Sequence, residues 1–235
     1  MRHFPNFLTL SNLFLGCCAL IFTLASDPVA AAWCTLGCFL CDYGDGMAAR
    51  ALRVSSPLGK ELDSLADVVS FGVVPGAMLY MLLLRGLPPD SAAVVRLEAL
   101  PAFVLSAFSG LRLARFNLDT RQTNYFLGLS TPACTVLVLG LTLAAHHERF
   151  GLGQVFENQW FLYALVGLLS WLLNSEIPMF GLKIKGLGWR ENALVLAFLG
   201  LFGVLVFALK ELGLSALIVC YVGLSVLMRR RILEG

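Results

Sequence analysis

Four aspartates and the small residues between them hold most of the chemistry available to this chain. Asp42, Asp45, Gly46, Ala49, Arg50, Gly59, Asp63 and Asp67 follow the spacing D-x2-D-G-x2-A-R-x8-G-x3-D-x3-D. Residues three and four apart share one face of a helix. Asp42, Asp45, Gly46 and Ala49 therefore form one stripe, and Gly59, Asp63 and Asp67 form a second. The short linker Arg53 to Pro57 turns the chain back, so the two helices are antiparallel neighbours whose stripes can face each other. Facing stripes place four carboxylates around one cavity, while glycine and alanine clear room for something bulky. Such a cluster suits a hard divalent cation, Mg2+ or Mn2+, which takes oxygen ligands and fills its sphere with substrate phosphate oxygens. Two such ions, about 3.5–4 Å apart, clamp a transferring phosphoryl group from both sides. The plainer alternatives are salt bridges to Arg50, Arg53 and Lys60, or a proton path. Four acids, three small residues and an arginine in one arrangement favour a ligand site over either.

The elements that must carry this motif are apolar. At 58% hydrophobic and 14% charged, with mean hydropathy +0.81, the chain is excluded from the ordinary soluble domains. Apolar stretches long enough to cross a ~30 Å hydrocarbon core recur along it. A lipid-facing carboxylate costs roughly 2.5–3.5 kcal/mol on insertion scales, and four together also repel one another. Bound cations relieve both costs. The expectation is an all-α, polytopic transmembrane bundle forming a single integral membrane domain over 1–235, with no internal repeat and no separate soluble domain. No cleaved signal peptide is expected, because the first apolar run leads straight into another.

Eight spans are expected. An amphipathic start, Met1 to Leu10, leads into a first span ending near Leu24, where Ser26-Asp27-Pro28 breaks it. The second runs from about Val29 into the motif, and the third from Gly59 to Leu84. After a Pro88-Pro89 loop the fourth covers Ala92 to Phe116. Polar Asn117 to Asn124 precedes the fifth, Leu127 to Ala145. A loop from His146 to Gln159 leads to the sixth, Trp160 to Leu173. Polar Asn174 to Glu191 separates these from two closing spans, Ala193 to Leu209 and Leu214 to Met228. An even number puts both termini on one side. That side receives Arg2, Arg50, Arg53, Lys60, Arg112, Arg115, Arg121, Lys183, Lys185, Arg190 and Arg229 to Arg231, against Arg85, Arg96, Arg149 and Lys210 on the other. The positive-inside rule makes both termini cytoplasmic and opens the aspartate motif to the cytoplasm.

Other candidate groups carry less. Cys34, Cys38 and Cys41 share a helical face, but no histidine lies nearby to close a tetrahedral zinc site, and small packing residues are the expectation. His146 and His147 fall on the side opposite the motif. No Ser-His or Cys-His pairing stands out, so a covalent intermediate is not favoured.

The string DYGDGMAARALRVSSPLGKELDSLAD, from Asp42 to Asp67, resembles the signature of the CDP-alcohol phosphatidyltransferases at every fixed position. Pro5-Asn6, Thr9, Asn12, Ser64 to Gly76, Leu111 to Thr123 and Gly128 to Pro132 are similar to the serine-using branch of that family. The resemblance is close over about Pro5 to Pro132 and rests mainly on hydropathy beyond it. One departure is Ser130, where the branch often has proline. The resemblance implies a six-helix family core, here followed by two further C-terminal helices, and a likeness to homodimeric enzymes. It implies transfer of a phosphatidyl group from CDP-diacylglycerol to an alcohol, with release of CMP. Asp42, Asp45, Asp63 and Asp67 would be metal ligands for two Mg2+ or Mn2+ ions, and Asp67 also the general base. Asp42, Asp45, Gly46, Ala49, Arg50, Gly59 and Asp63 would bind the CDP-lipid, with Arg50 neutralising the diphosphate.

The acceptor implied by Leu111 to Thr123 is L-serine, whose carboxylate needs a cation. Arg112 and Arg115 are the candidates, since arginine suits bidentate oxyanion contacts, with Asn117, Asp119, Arg121 and Gln122 completing a pocket; ordinary topology signalling is the alternative role for the pair. Lys183, Lys185 and Arg190 suit anionic headgroups but also fit topology alone. The expected partners are CDP-diacylglycerol, L-serine and membrane lipids, with no nucleic acid, in a bacterial cytoplasmic membrane. Glycerol 3-phosphate or inositol phosphate as acceptor would use the same eight residues. From another class, a divalent-cation transporter would line its pathway with the four aspartates. Such a site belongs near the midplane between matching broken helices, whereas these acids lie at span ends beside a linker.

Overall fold

The computed structural model describes residues 3–54, 56–88, 95–119, 126–179 and 193–229. Among the described residues eight principal helices follow one another: α1 (Phe4–Leu24), α2 (Pro28–Leu52), α3 (Pro57–Gly86), α4 (Leu97–Leu118), α5 (Thr131–His146), α6 (Gln159–Leu173), α7 (Ala193–Leu209) and α8 (Leu212–Leu227). The polytopic all-α expectation is met. Helices α1, α3 and α4 are long and apolar enough to cross a membrane. Helix α2 has the length, 25 residues, but it carries Asp42 and Asp45. Helices α5, α6, α7 and α8 are apolar but shorter; at sixteen residues α8 rises only about 24 Å.

The starts of α2, α3, α5 and α6 follow side chains that cap them. Asp27 Oδ1 accepts from the Ala30 amide at 3.0 Å, Ser56 Oγ from Gly59 at 3.0 Å, and Asn158 Oδ1 from Phe161 at 3.1 Å. Pro28 and Pro57 occupy first-turn positions where no amide is needed. Ser130 belongs to the same set: its Oγ accepts from Ala133 at 3.3 Å and opens α5. Serine at this departure from the family pattern is therefore a helix cap.

Three boundaries differ from the sequence expectation. Helix α4 begins with a 3-10 segment, Leu97–Phe103, containing Pro101, and the expected start at Ala92 lies outside the described residues. The fifth helix begins at Thr131 rather than Leu127, because Phe126–Leu127 pairs as a short antiparallel strand with Pro178–Met179. The loop expected over His146 to Gln159 holds a helical turn at Gly153–Phe156.

Helix α3 is interrupted by a π-helical stretch, Val69–Val73, just after Asp67. Its cause is legible in the hydrogen bonds. Pro75 offers no amide to the Phe71 carbonyl four residues earlier, and that oxygen accepts from Thr135 Oγ1 of α5 at 3.2 Å. The next carbonyl, Gly72, accepts from Ser106 Oγ of α4 at 2.8 Å. The bulge thus ties α3 to two neighbours. The core lies on the far side of it, where Leu79, Leu82 and Leu83 meet Val138 of α5 and Leu162 and Leu169 of α6. Helices α1 and α2 pack together, α1 also contacts α3, and α8 packs between α5 and α7.

Candidate active site

Asp42 and Asp45 lie one turn apart near the end of α2, and Asp63 and Asp67 one turn apart in the first half of α3. One carboxylate oxygen each from Asp42, Asp63 and Asp67 lies within 4.8 Å of the other two. Asp45 is held differently. It is 7% exposed, and its Oδ2 accepts a 2.6 Å hydrogen bond from Thr9 Oγ1 of α1. Asp67 Oδ1 accepts from Asn12 Nδ2, also on α1, at 3.3 Å. Helix α1 therefore orients one carboxylate on each of the two motif helices.

The salt-bridge alternative is not what the described residues show. No ion pair among them joins an aspartate of the motif to Arg50, Arg53 or Lys60. Lys60 Nζ instead donates to the Asn117 carbonyl at 3.0 Å. Asp63 Oδ1 is buried with no hydrogen-bond partner among the described residues. A buried carboxylate oxygen left unpaired beside two further carboxylates is a costly arrangement for the protein alone. The donor set is all oxygen and anionic, which fits a hard divalent cation and not a soft one.

Two clefts meet at this cluster. The first has a volume of about 240 Å³ and is lined by Pro5, Asn6 and Thr9 of α1, Asp45, Gly46 and Ala49 of α2, and Gly59, Lys60 and Asp63 of α3. Gly59 has a steric reason, since a Cβ there would lie 3.0 Å from Ser56 Oγ and 3.2 Å from Asn6 Oδ1, whereas one on Gly46 would make only ordinary contact with the Arg50 side chain. The second cleft has a volume of about 600 Å³ and is lined by Asp42, Arg50, Asp67, Arg112 and Phe116, with Ser130 to Ala133 and residues of α7 and α8. Asp63 faces the first cleft, and Asp42 and Asp67 face the second.

Arg112 is 7% exposed. Its guanidinium carbon stands 5.9 Å from the centre of the Phe116 ring, and its Nε has no hydrogen-bond partner among the described residues. Arg115 and Asp119 line a neighbouring hollow of about 90 Å³ that Arg112 also borders. Asn117 borders none of these spaces. Its Nδ2 donates to Ser64 Oγ at 2.7 Å, so it braces α4 against α3. Arg121, Gln122, Lys183, Lys185 and Arg190 lie outside the described residues, as do Arg2, Arg230 and Arg231. Cys38 is buried, with Sγ 3.5 Å from the Asn12 carbonyl.

Thr9 and Asn12 are implied by the resemblance alone, although Asn6, Thr9 and Asn12 repeat every three residues along a largely apolar helix. That polar stripe was the available signal. Phe198, Ile218 and Tyr221, which also line the second cleft, carry no comparable sequence signal.

The profile of the family described as CDP-alcohol phosphatidyltransferase matches residues 2–173, a segment that ends with α6. A protein of Mycobacterium leprae named CDP-diacylglycerol–serine O-phosphatidyltransferase is 34% identical over 228 residues, covering 94% of this chain and 72% of its own. One of the same name from Helicobacter pylori is 32% identical over 212 residues, covering 89% and 84%. Another from Bacillus subtilis is 35% identical over 133 residues, covering 56% and 71%. With the aspartate cluster, its two clefts and a match over most of its length, the chain belongs to the CDP-alcohol phosphatidyltransferase family.

Proposed function

We propose that this enzyme transfers the phosphatidyl group of CDP-diacylglycerol to the hydroxyl of L-serine, giving phosphatidylserine and CMP. The observation that carries the reading is the junction of two clefts at one carboxylate cluster, in a chain whose relatives are named for this reaction. A two-substrate transfer needs such a junction, with one compartment for the departing nucleotide and one for the incoming alcohol.

In this reading the cytidine nucleotide enters the first cleft, where Gly46, Ala49 and Gly59 let it approach the helix backbones. Asp42, Asp63 and Asp67, with Asp45 beside them, would hold Mg2+ or Mn2+. When bound, the metal neutralises the diphosphate and stabilises the phosphate of departing CMP. Arg50, which borders the cavity beside Asp42 and Asp67, adds positive charge at the diphosphate. Asp67 takes the proton from the serine hydroxyl. The serine oxygen then forms its bond to the lipid-side phosphorus as the bond from that phosphorus to the CMP oxygen breaks. Arg112, a buried cation that lines the same cavity as Asp67, would receive the serine carboxylate. Positioning and charge neutralisation supply most of the acceleration, as in other phosphoryl transfers. A bacterial inner membrane, a cytoplasmic-facing site and a homodimer belong to the same proposal, the last checked by the mass of the protein in detergent.

The test is CMP release from CDP-diacylglycerol by purified protein with Mg2+ or Mn2+, offering serine, glycerol 3-phosphate or inositol phosphate. Serine-dependent release with phosphatidylserine as product is expected. Release with another acceptor alone would sink the serine assignment and keep the family chemistry. Metal flux into liposomes without any CDP-lipid turnover would favour the transport alternative.

A further inference from the structure

Helices α7 and α8 lie beyond the segment matched by the family profile, yet they close the cavity of Asp67. Phe198 of α7 and Ile218 and Tyr221 of α8 line it together with Asp42, Asp67 and Arg112. Phe198 and Ile218 are buried, and Phe198 stacks edge-on against Tyr221 with ring centres 5.8 Å apart.

The hairpin is fixed in place rather than laid loosely on the bundle. Ser215 Oγ donates to the Leu137 carbonyl of α5 at 2.7 Å. A Cβ on Gly140 of α5 would lie 2.6 Å from Ser215 Oγ and 2.9 Å from the Glu211 carbonyl, so the two helices touch backbone to backbone there. At the far end Arg149 donates to both carboxylate oxygens of Glu211, at 2.9 and 3.1 Å. A wall held at three points can define a substrate's shape.

We infer that the α7–α8 hairpin is part of the acceptor site, and that Tyr221, beside Arg112, binds the carboxylate end of an amino-acid acceptor. The inference rests on the proposed serine transfer and deepens it. With its hydroxyl at Asp67, an acceptor as short as serine must place its carboxylate within the same cavity. Arg112 supplies the charge there and Tyr221 a phenolic hydroxyl on the neighbouring wall. Ile218 and Phe198 make the rest of that wall apolar, which limits the room for water at the reacting phosphorus. Water admitted there would attack in place of the alcohol and give phosphatidate and CMP.

The experiment measures phosphatidylserine, phosphatidate and CMP from full-length wild-type, Tyr221→Phe, Tyr221→Ala and Ile218→Ala proteins, with serine and CDP-diacylglycerol varied separately. Losing one hydrogen bond to a charged group predicts that Tyr221→Phe raises the serine KM about tenfold or more, with the CDP-diacylglycerol KM unchanged. Tyr221→Ala and Ile218→Ala should in addition raise the share of CMP released as phosphatidate. Tyr221→Phe keeps the ring and its packing, so it decides the question even where the alanine variants fail to fold. A serine KM within twofold of wild type in Tyr221→Phe overturns the inference alone. So does a parallel rise in both KM values with a fall in the thermal midpoint, which is the mark of a packing role. Absence of serine-dependent turnover in the wild-type protein overturns the proposed function and this inference together.

Discussion

Asp67 is asked to do two things, to share a metal with Asp42 and Asp63 and to take a proton, and Asn12 limits how it can do both. The amide of Asn12 donates to Oδ1, which leaves Oδ2 as the oxygen with more freedom toward substrate. Replacing Asp67 with asparagine keeps the shape and removes the base. It should lower CMP release by about 10²–10⁴-fold, the usual worth of a positioned general base. Mn2+ binding followed by electron paramagnetic resonance should weaken less than it does in Asp42→Asn, where a ligand is lost and no base. Equal loss of metal in both variants with no extra loss of turnover would remove Asp67 from the proton transfer. Thr9 offers a second test. Thr9→Val removes the 2.6 Å bond to Asp45 at nearly constant volume, and a bond to a charged group is worth about 1.5–3 kcal/mol. The expected result is about a tenfold or greater rise in the KM for CDP-diacylglycerol, with serine's KM unmoved. The aspartates were readable because carboxylates in an apolar helix need a reason. Thr9 was not readable in the same way, since a threonine in a membrane helix commonly bonds its own helix, and this one also donates to the Pro5 carbonyl at 3.1 Å.

Helices reveal their existence through apolar runs and their ends through caps, and both kinds of signal were present in the chain. Asp27-Pro28 and Ser56-Pro57 start α2 and α3 as their chemistry directs. Local backbone pitch leaves no such trace. The π segment at Val69–Val73 depends on Thr135 and Ser106 reaching two carbonyls from other helices, and the strand pair joins residues about fifty positions apart. Neither can be read from a run of apolar residues. The hairpin of α7 and α8 makes this concrete, because its docking hangs on Gly140 and Glu211. Gly140→Ala should force α8 off α5 at a cost of about 1–3 kcal/mol, the range for overpacking, seen as a lower thermal midpoint. Glu211 adds a pH dependence. The hydrogen bond from Arg149 holds its carboxyl below the ordinary carboxylate range, with partial burial opposing. A carboxyl lowered on folding contributes stability that is fully present above its unfolded pKa and is lost as pH falls through the folded value. The ion pair lies at the surface with part of the Glu211 side chain still exposed, so solvent screening keeps the effect small. Thermal scans from pH 7 down to pH 3 should therefore show wild type converging on Glu211→Gln only at the acid end, with the two separated by a degree or two (~1–2 °C) at neutral pH.

Across the whole molecule the charged groups sort to two ends. The four aspartates, Arg50, Lys60, Arg112 and Arg115 line the two clefts and the hollow beside them. Asp27, Arg85, His146, His147, Arg149 and Glu211 gather at the other end, where Arg149 and His147 both approach Glu211. Helix α1 begins beside Asp45, and α8 begins at Glu211 and runs back, so α8 ends at the end of the bundle that holds the aspartates. Under the proposed topology the cleft-bearing end, with the larger share of arginine and lysine among the described residues, would face the cytoplasm. CDP-linked lipid and serine would then both reach the site from the side on which soluble precursors are made, and CMP would return there. Reporter fusions in a bacterial inner membrane check it. A fluorescent protein that matures only in the cytoplasm should be bright when fused after Gly235, and alkaline phosphatase, active only outside, should be active when inserted between Lys210 and Glu211. A dark terminal fusion with an inactive internal one would place the clefts outside. The route for serine would then have to cross the bilayer before reaction, and the proposed delivery of both substrates from one side would fall with it.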